Sequence, residues 1–473
     1  MLRVQSPSLT PLPSNGSQAS RHSTTVGSKT FGSRLRDLGA QLTLAALAIL
    51  LACGAPAATE PPPTEPIGSA EATQTQPVRT PEGTGGVNAP ETLDKPYVVL
   101  VSFDGFRHDY LSHYDTPSFD RVAGIGAVSD ALIPVYPSLT FPSHYSIATG
   151  LHPEHHGIVG NRFYDPARDE QYNYRNTINV QDGTWYDGEP IWVTAETQGM
   201  VAAAMLFVGT EAAIGGVRPT FWTPYSARGS RRERVDQVVA WLSLPARERP
   251  HLITLYFSGV DGAGHDSGPT SRAVEGAVRQ VDAALGRLLD GVDRLPHADQ
   301  VSLVLVSDHG MGPVDPDRVV NLREIADLRG VRTVVTGTGA NLFVDGDSAR
   351  ARVLRDDIND QLRGGRAYLR ADVPTALRYR SDPRIGDVVV VAEPGAMIGM
   401  GRASPPPGMH GWDPHHPDMH GIFLAMGPDI MPGQRVGPVD SVHVYPFLAR
   451  LLQLTPASNI DGDLSVLAPL LDR

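Results

Sequence analysis

An α/β fold is expected from this sequence, with a mostly parallel sheet flanked by helices, and three observations lead to it. Three short apolar runs each end at or just before an aspartate, a long amphipathic stretch joins the second run to the third, and the chain is long enough for a large core. Tyr97 to Phe103 (YVVLVSF) is apolar and β-branched without alternation, as in a strand buried on both faces, and stops at Asp104-Gly105. His251 to Phe257 (HLITLYF) is the second run and is followed by Asp261. Val301 to Val306 (VSLVLV) is the third and leads into Ser307-Asp308-His309-Gly310. Between the last two, Ser271 to Leu289 carries Val274, Val278, Val281, Leu285, Leu288 and Leu289 on one helical face. From about Val335 to Ile398 the pattern changes. Strands at Ala340–Val344 and Asp387–Val391 around a charged helix, Ser348 to Leu362, predict a small α+β insertion.

The chain has 473 residues, an apolar fraction of 41% and a formal net charge of −12. That charge argues against a nucleic-acid partner held by bulk attraction, and no stable one is expected. A small anionic substrate remains compatible, because a local metal site can dominate its own field. The single cysteine, Cys53, excludes an intrachain disulfide, a thiolate-ligated metal site and a Cys-x-x-Cys redox motif. It also excludes the Cys-x-Pro-x-Arg motif of sulfatases.

Ahead of the folded region, residues 1–53 read as a leader and lipoprotein-type signal. Arg34 and Arg36 precede the apolar run Leu42 to Ala52, too short to span a bilayer, and Leu50-Leu51-Ala52-Cys53 resembles a lipobox. Cys53 would then be the lipidated first residue of an exported protein, anchored to the membrane. The outer membrane is expected, facing periplasm or cell surface, because Gly54 is not the aspartate of inner-membrane retention. Residues 54–94, rich in Pro, Thr, Glu and Gly, are expected to be a disordered linker. Residues 95–473 read as one folded domain, expected from the motifs below to be catalytic, with the insertion at about 335–398.

Ligand sites in parallel α/β sheets lie outside the carboxyl ends of the strands. Asp104, Asp261 and Asp308 should therefore meet along one edge. A single aspartate after a strand is most often a turn residue or a helix cap. Three of them, two with histidines in Asp261-x-x-x-His265 and Asp308-His309, point to metal ligation. Met409 to Met419 (MHGWDPHHPDM) adds His410, His415 and His416, with His420 next; the residues alone do not choose among these four. Mixed carboxylate and imidazole donors suit zinc, with manganese or iron as alternatives. Two such sets suggest two adjacent divalent ions, an arrangement that clamps attacking and leaving oxygens at phosphorus. Thr140 precedes a predicted helix, Ser143 to Thr149, where exposed N–H groups suit a phosphate. It reads as a metal-activated nucleophile or as a helix N-cap, and the motif by itself does not decide.

The ordered series Asp104-Gly105-Phe106-Arg107, Ser138-Leu139-Thr140-Phe141-Pro142-Ser143-His144-Tyr145, His156-Gly157-Ile158-Val159-Gly160-Asn161, Asp261-Gly262-Ala263-Gly264-His265, Ser307-Asp308-His309-Gly310-Met311 and His410-Gly411-Trp412 resembles a known family. It is that of the nucleotide pyrophosphatases/phosphodiesterases in the alkaline phosphatase superfamily, nearest its bacterial members, over roughly residues 96–473. The resemblance implies an alkaline-phosphatase-like core and hydrolysis of phosphodiester or pyrophosphate bonds, for instance of ATP to AMP and pyrophosphate. It implies one zinc on Asp261, His265 and His410, and another on Asp104, Thr140, Asp308 and His309. Thr140 would be the nucleophile, forming a covalent phospho-threonine. Asn161 would donate to a phosphoryl oxygen beside the Phe141 N–H, and Phe141, Tyr225 and Tyr256 would hold a nucleoside base. The sequence departs from the family at Ser143, where asparagine is usual. It departs again at Phe207-Val208-Gly209-Thr210, where many members have Trp-Pro-Gly-Ser, which bears on specificity. The rival readings are a phosphomonoesterase, a phosphonate hydrolase or a phospholipid-headgroup phosphodiesterase, and, further off, a non-catalytic binding lipoprotein.

Overall fold

The computed structural model describes residues 78–79, 85–225, 229–401 and 404–472. The expected leader, Cys53 and most of the 54–94 linker lie outside the described residues. In chain order the strands of the main sheet begin with β1 (Val78–Arg79), β2 (Tyr97–Phe103), β3 (Ala127–Ser129), β4 (Ala202–Met205), β5 (Phe221–Thr223), β6 (Leu252–Phe257) and β7 (Val301–Val306). A second sheet contains β8 (Arg332–Val335), β9 (Gly339–Phe343), β10 (Gly365–Leu369) and β11 (Val388–Ala392). The main sheet is completed by β12 (Phe423–Met426) and β13 (Arg435–Val436). Its order among the described residues is β1-β5-β4-β6-β2-β7-β12-β3-β13. The block from β5 to β7 is parallel, and β12 runs antiparallel to β7.

Successive side chains of β2 enter two different apolar layers. Val98 and Leu100 pack on one face, and Tyr97, Val99, Val101 and Phe103 on the other. Burial on both faces is why the three runs are continuously apolar. The helices supply the covering layers: α1 (Pro117–Ile125), α2 (Thr140–Thr149), α3 (Arg231–Leu242), α4 (Gly259–Ser267), α5 (Arg272–Asp293), α6 (Ser348–Gln361) and α7 (Val444–Leu451). The α5 helix starts where the sequence places it, with Ser271 accepting from the Val274 N–H as its N-cap. It continues past Leu289 because Val292 is also buried. Helices α2 and α7 cover the opposite face with Tyr145, Ile147, Tyr445 and Phe447. Among the described residues no helix is long and apolar enough to cross a membrane.

The second sheet has the order β8-β9-β11-β10, antiparallel throughout, and α6 packs Ala351, Leu354 and Ile358 against it. The two strands read from sequence are its central pair, each displaced by one residue. Its outer strands escaped notice because edge strands carry exposed charges, here Arg332 and Arg366, which break the apolar signal.

Arg384 ties the segment before β11 to the main body. Its guanidinium donates to Asp165, to Asp187 and to the Gly157 and Trp185 carbonyls. The Arg384 and Asp165 side chains are only 11% and 6% exposed. Arg384→Ala should destabilise the protein by about 3 kcal/mol, since it strands a buried carboxylate without its partner. Urea unfolding checks this, and a loss below about 0.5 kcal/mol, as for a surface pair, contradicts it.

Candidate metal centre and active site

The parallel strands deliver their carboxyl ends to one edge, and the three aspartates meet there. Asp104 follows β2 directly, Asp308 follows β7 after Ser307, and Asp261 lies in the first turn of α4, just beyond β6. The loops are stitched together. The Asp261 N–H donates to the Asp104 carbonyl (3.0 Å), and the Gly105 N–H donates to Asp308 Oδ1 (3.2 Å). Gly105 has φ +69°, and a Cβ there would meet Asp261 Cα at 2.8 Å. Only glycine allows both the backbone turn and the close approach of two ligand loops. His265 follows Asp261 by one helical turn, and its Nε2 lies 3.3 Å from Asp261 Oδ1. His410 arrives from far along the chain, held by antiparallel pairing of Gly408–Met409 with Gly312–Pro313.

Two groups result: Asp261 with His265 and His410, and Asp104 with Asp308 and His309, each with ligand atoms within 4.8 Å of one another. They adjoin through the stacked rings of His309 and His410, whose centroids are 3.6 Å apart. The residues fit divalent ions on two counts. Asp104 Oδ1, Asp261 Oδ1 and Asp308 Oδ2 are buried without a hydrogen-bond partner, an arrangement that burial penalises unless a cation satisfies it. In addition, all three histidines spend Nδ1 on a backbone carbonyl. His265 bonds Gly408 O (2.9 Å), His309 bonds Gly310 O (2.9 Å) and His410 bonds Ser138 O (2.8 Å). That fixes the tautomer and leaves each Nε2 for a metal.

The electrostatics of the protein alone show the same need. Burial, then the charges of Asp308 and Asp261, push the Asp104 carboxyl well above the usual range. Burial also works against ionising Asp308, yet His309 and His144 hold it low. His309 is opposed by burial but raised to about 10 by Asp308 beside it, while burial and then His309 push His410 down to about 3.

Thr140 opens α2 as its first helical residue, and the N-cap position belongs to Leu139, which has no capping side chain. The helix thus begins three residues before the expected Ser143, and the N-cap alternative for Thr140 is not met. Its Oγ1 is free to face the site and lies 3.4 Å from His309 Nε2. The Phe141 N–H, expected to face a phosphoryl oxygen, donates instead to Asn161 Oδ1 (2.9 Å). That bond aims the Asn161 amide, whose NH₂ is the remaining donor of the pair.

His144, from the same motif as Thr140, joins several parts of the site. Its Nε2 bonds Ser102 Oγ (2.8 Å), and its Nδ1 bonds the Thr140 carbonyl (2.9 Å) and lies 3.1 Å from Asp308 Oδ2. His415 pairs with Asp413 on the surface, His416 caps a short turn and His420 packs near His108, so none joins the site.

A cavity of about 930 Å³ opens over Thr140, Asp104, Asp261, His265, His410 and Asn161. Phe141, Tyr225 and Tyr256 line it as well, but not as one trio. Tyr225 adjoins Tyr256 at 6.3 Å, while Phe141 adjoins Tyr174 at 5.5 Å. Tyr256 is only 6% exposed, and its hydroxyl donates to Asp104 Oδ2. Tyr174, Arg175 and Glu211 also line the cavity and were missed, for they stand outside any recognisable motif.

A family model described as type I phosphodiesterase / nucleotide pyrophosphatase matches residues 98–413. The chain is 31% identical over 401 residues to an uncharacterized pyrophosphatase/phosphodiesterase of Schizosaccharomyces pombe, covering 82% of each protein. It is 32% identical over 387 residues to human ectonucleotide pyrophosphatase/phosphodiesterase family member 1, covering 78% of this chain and 41% of the relative. The chain therefore spans less than half of that relative. A solved structure of murine ectonucleotide pyrophosphatase / phosphodiesterase 5, an inactive threonine-to-alanine form in complex with AMP, matches with a TM-score of 0.76 at 28% identity. It covers 80% of this chain and 100% of that one.

Proposed function

The chain belongs to the type I phosphodiesterase / nucleotide pyrophosphatase family and has an alkaline-phosphatase-like core; on that premise we propose that it hydrolyses phosphodiester and pyrophosphate bonds of nucleotides through a covalent phospho-threonine on Thr140. The observation that carries this reading is the place of Thr140 Oγ1, uncapped at a helix N-terminus, 3.4 Å from His309 Nε2 and open to an aromatic-lined cavity. Two divalent ions, which we read as zinc, would be held by Asp261, His265 and His410 and by Asp104, Asp308, His309 and Thr140, and would supply positive charge that acidifies the Thr140 hydroxyl and neutralises phosphoryl oxygens.

Thr140 Oγ1 gives up its proton to solvent and attacks phosphorus in line. The Oγ1–P bond forms as the bond to the leaving oxygen breaks, and that oxygen departs with the electron pair. The Asn161 NH₂ donates to a phosphoryl oxygen whose charge grows in the transition state. The positive end of the α2 dipole favours the same charge. His144 holds the Thr140 carbonyl and so keeps the attacking residue in place. Water then displaces Thr140 from phosphorus, the Oγ1–P bond breaks, and the hydroxyl regains its proton. For ATP the products are AMP and pyrophosphate. The aromatic residues beside Thr140 support a substrate with a flat group, as does the AMP bound by the murine structure.

The test is hydrolysis of p-nitrophenyl thymidine 5′-phosphate beside p-nitrophenyl phosphate by the zinc-loaded protein. A diester preference above about 100-fold in kcat/KM, near 3 kcal/mol, is the expected result. A preference for the monoester would assign the site to phosphatase chemistry and remove the nucleotide reading.

We place the enzyme outside the cytoplasm, anchored by lipid on Cys53, on the signal-like pattern before that residue. Labelled palmitate should enter the wild type and not Cys53→Ser; equal labelling of both would end that assignment.

A further inference from the structure

Two parts of the cavity wall are poorly held by packing. Helix Thr177–Gln181 has five residues, of which Val180 alone is buried, while Ile178 is 79% exposed. So short a helix does not persist without tertiary support. Tyr225 is 55% exposed, with its ring against Tyr256 on one side. Each part meets the same side chain. Glu211 is buried in the cavity lining, where its Oε1 accepts from the Tyr225 N–H (2.9 Å) and its Oε2 from Gln181 Nε2 (3.2 Å). One carboxylate thus joins the segment that carries Tyr225 to the helix that brings Thr177 and Val180 into the cavity. Both partners are neutral donors, so the link is directional hydrogen bonding rather than an ion pair.

We propose that Glu211 is a positioning residue that sets the width of the subsite for the flat group of the substrate. It does so by locking Tyr225 to the Thr177–Gln181 helix. The proposal rests on the reading of the cavity as a nucleotide site. Among the described residues Glu211 hydrogen-bonds Tyr225 and Gln181, not Thr140 or a residue of either ligand group, so it acts on the fit of the flat group and not on the reaction at phosphorus. A substrate that lacks a base does not use it.

Wild type, Glu211→Ala, Glu211→Gln and Gln181→Ala, each as metal-loaded full chain, are compared on p-nitrophenyl thymidine 5′-phosphate and methyl p-nitrophenyl phosphate, with AMP binding measured by calorimetry. Glu211→Ala should raise the nucleotide KM and the AMP Kd about tenfold, with kcat on both esters changed less than about threefold. Gln181→Ala, which breaks one half of the link, should raise them about threefold. Glu211→Gln should stay near wild type, because its carbonyl still accepts from Tyr225 and the Gln181 amide can turn to accept from its NH₂. Equal loss on both esters in Glu211→Ala, or an unchanged AMP Kd, would overturn the proposal. A wild type inactive on both esters, with AMP binding still weakened in Glu211→Ala, would keep the lock and remove the phosphodiesterase reading.

Discussion

Thr140→Ala should lower turnover of a p-nitrophenyl nucleotide ester by at least about 10⁴-fold, because it deletes the atom that forms the covalent bond to phosphorus. The melting temperature should move by less than about 2 °C, because Leu139 and not Thr140 holds the N-cap position and the lost hydroxyl caps nothing. That pair of outcomes separates two roles that the sequence left open. A capping threonine would show the reverse, with stability down by about 1 kcal/mol and activity retained. Thr140→Ser keeps a hydroxyl at the same place and should restore measurable turnover. If Thr140→Ala stayed active with metal bound, the nucleophile would be a water, and the product of a chiral phosphorothioate would show inversion instead of retention at phosphorus.

The convergence of Asp104, Asp261 and Asp308 was legible because a shared site imposes sequence. Aspartates must follow parallel strands to meet at one edge, and a helical pair such as Asp261 and His265 must be about one turn apart. β2 and β7 were readable to the residue because burial on both faces removes every polar interruption. The start of α2 was not readable. Proline at its third position looked like a start signal for Ser143, whereas the extended Leu139 opens the helix earlier. Strand β4, Ala202–Met205, was missed because an alanine run has helical propensity, and here burial between β5 and β6 overrides it. Nor could the cavity wall be read. Glu211 is placed by two hydrogen bonds across 30 and 14 residues, and no local spacing signals such contacts. His144 lay inside a recognisable motif, but only the fold shows that it reaches both Thr140 and Asp308.

Removal of the metal should abolish turnover, and reloading should depend on pH in a direction that the site sets. Without cations, two buried carboxylates and the partly buried Asp261 share one edge, and Asp104 is driven towards its neutral form by burial and by Asp308 and Asp261. His309, raised to about 10 chiefly by Asp308 against the opposing effect of burial, is then a cation at neutral pH. Its Nε2 carries a proton where a metal would bind, so loading the Asp104, Asp308 and His309 group must release that proton. Metal affinity should therefore rise as pH rises from about 6 to about 8, up to about tenfold per unit for each proton released. The apo protein should show the opposite trend in stability from this histidine. A folded pKa above the unfolded value contributes stability that is full below about 6.5 and is lost as pH climbs through about 10. His410 differs, since burial and then His309 hold it near 3, so it is neutral and already presents Nε2. In its group His265 is opposed by burial but raised by Asp261 and also has a proton to release, so the pH dependence there should be weaker only because Asp104 as well as His309 gives up a proton in the other group. Calorimetry in buffers of different ionisation enthalpy would count the protons, and His410→Ala should remove about one ion per chain and leave the His309 proton release in place. Loading that released no protons at neutral pH would show that His309 is neutral in the free protein, and normal metal content in His410→Ala would remove it from the ligand set.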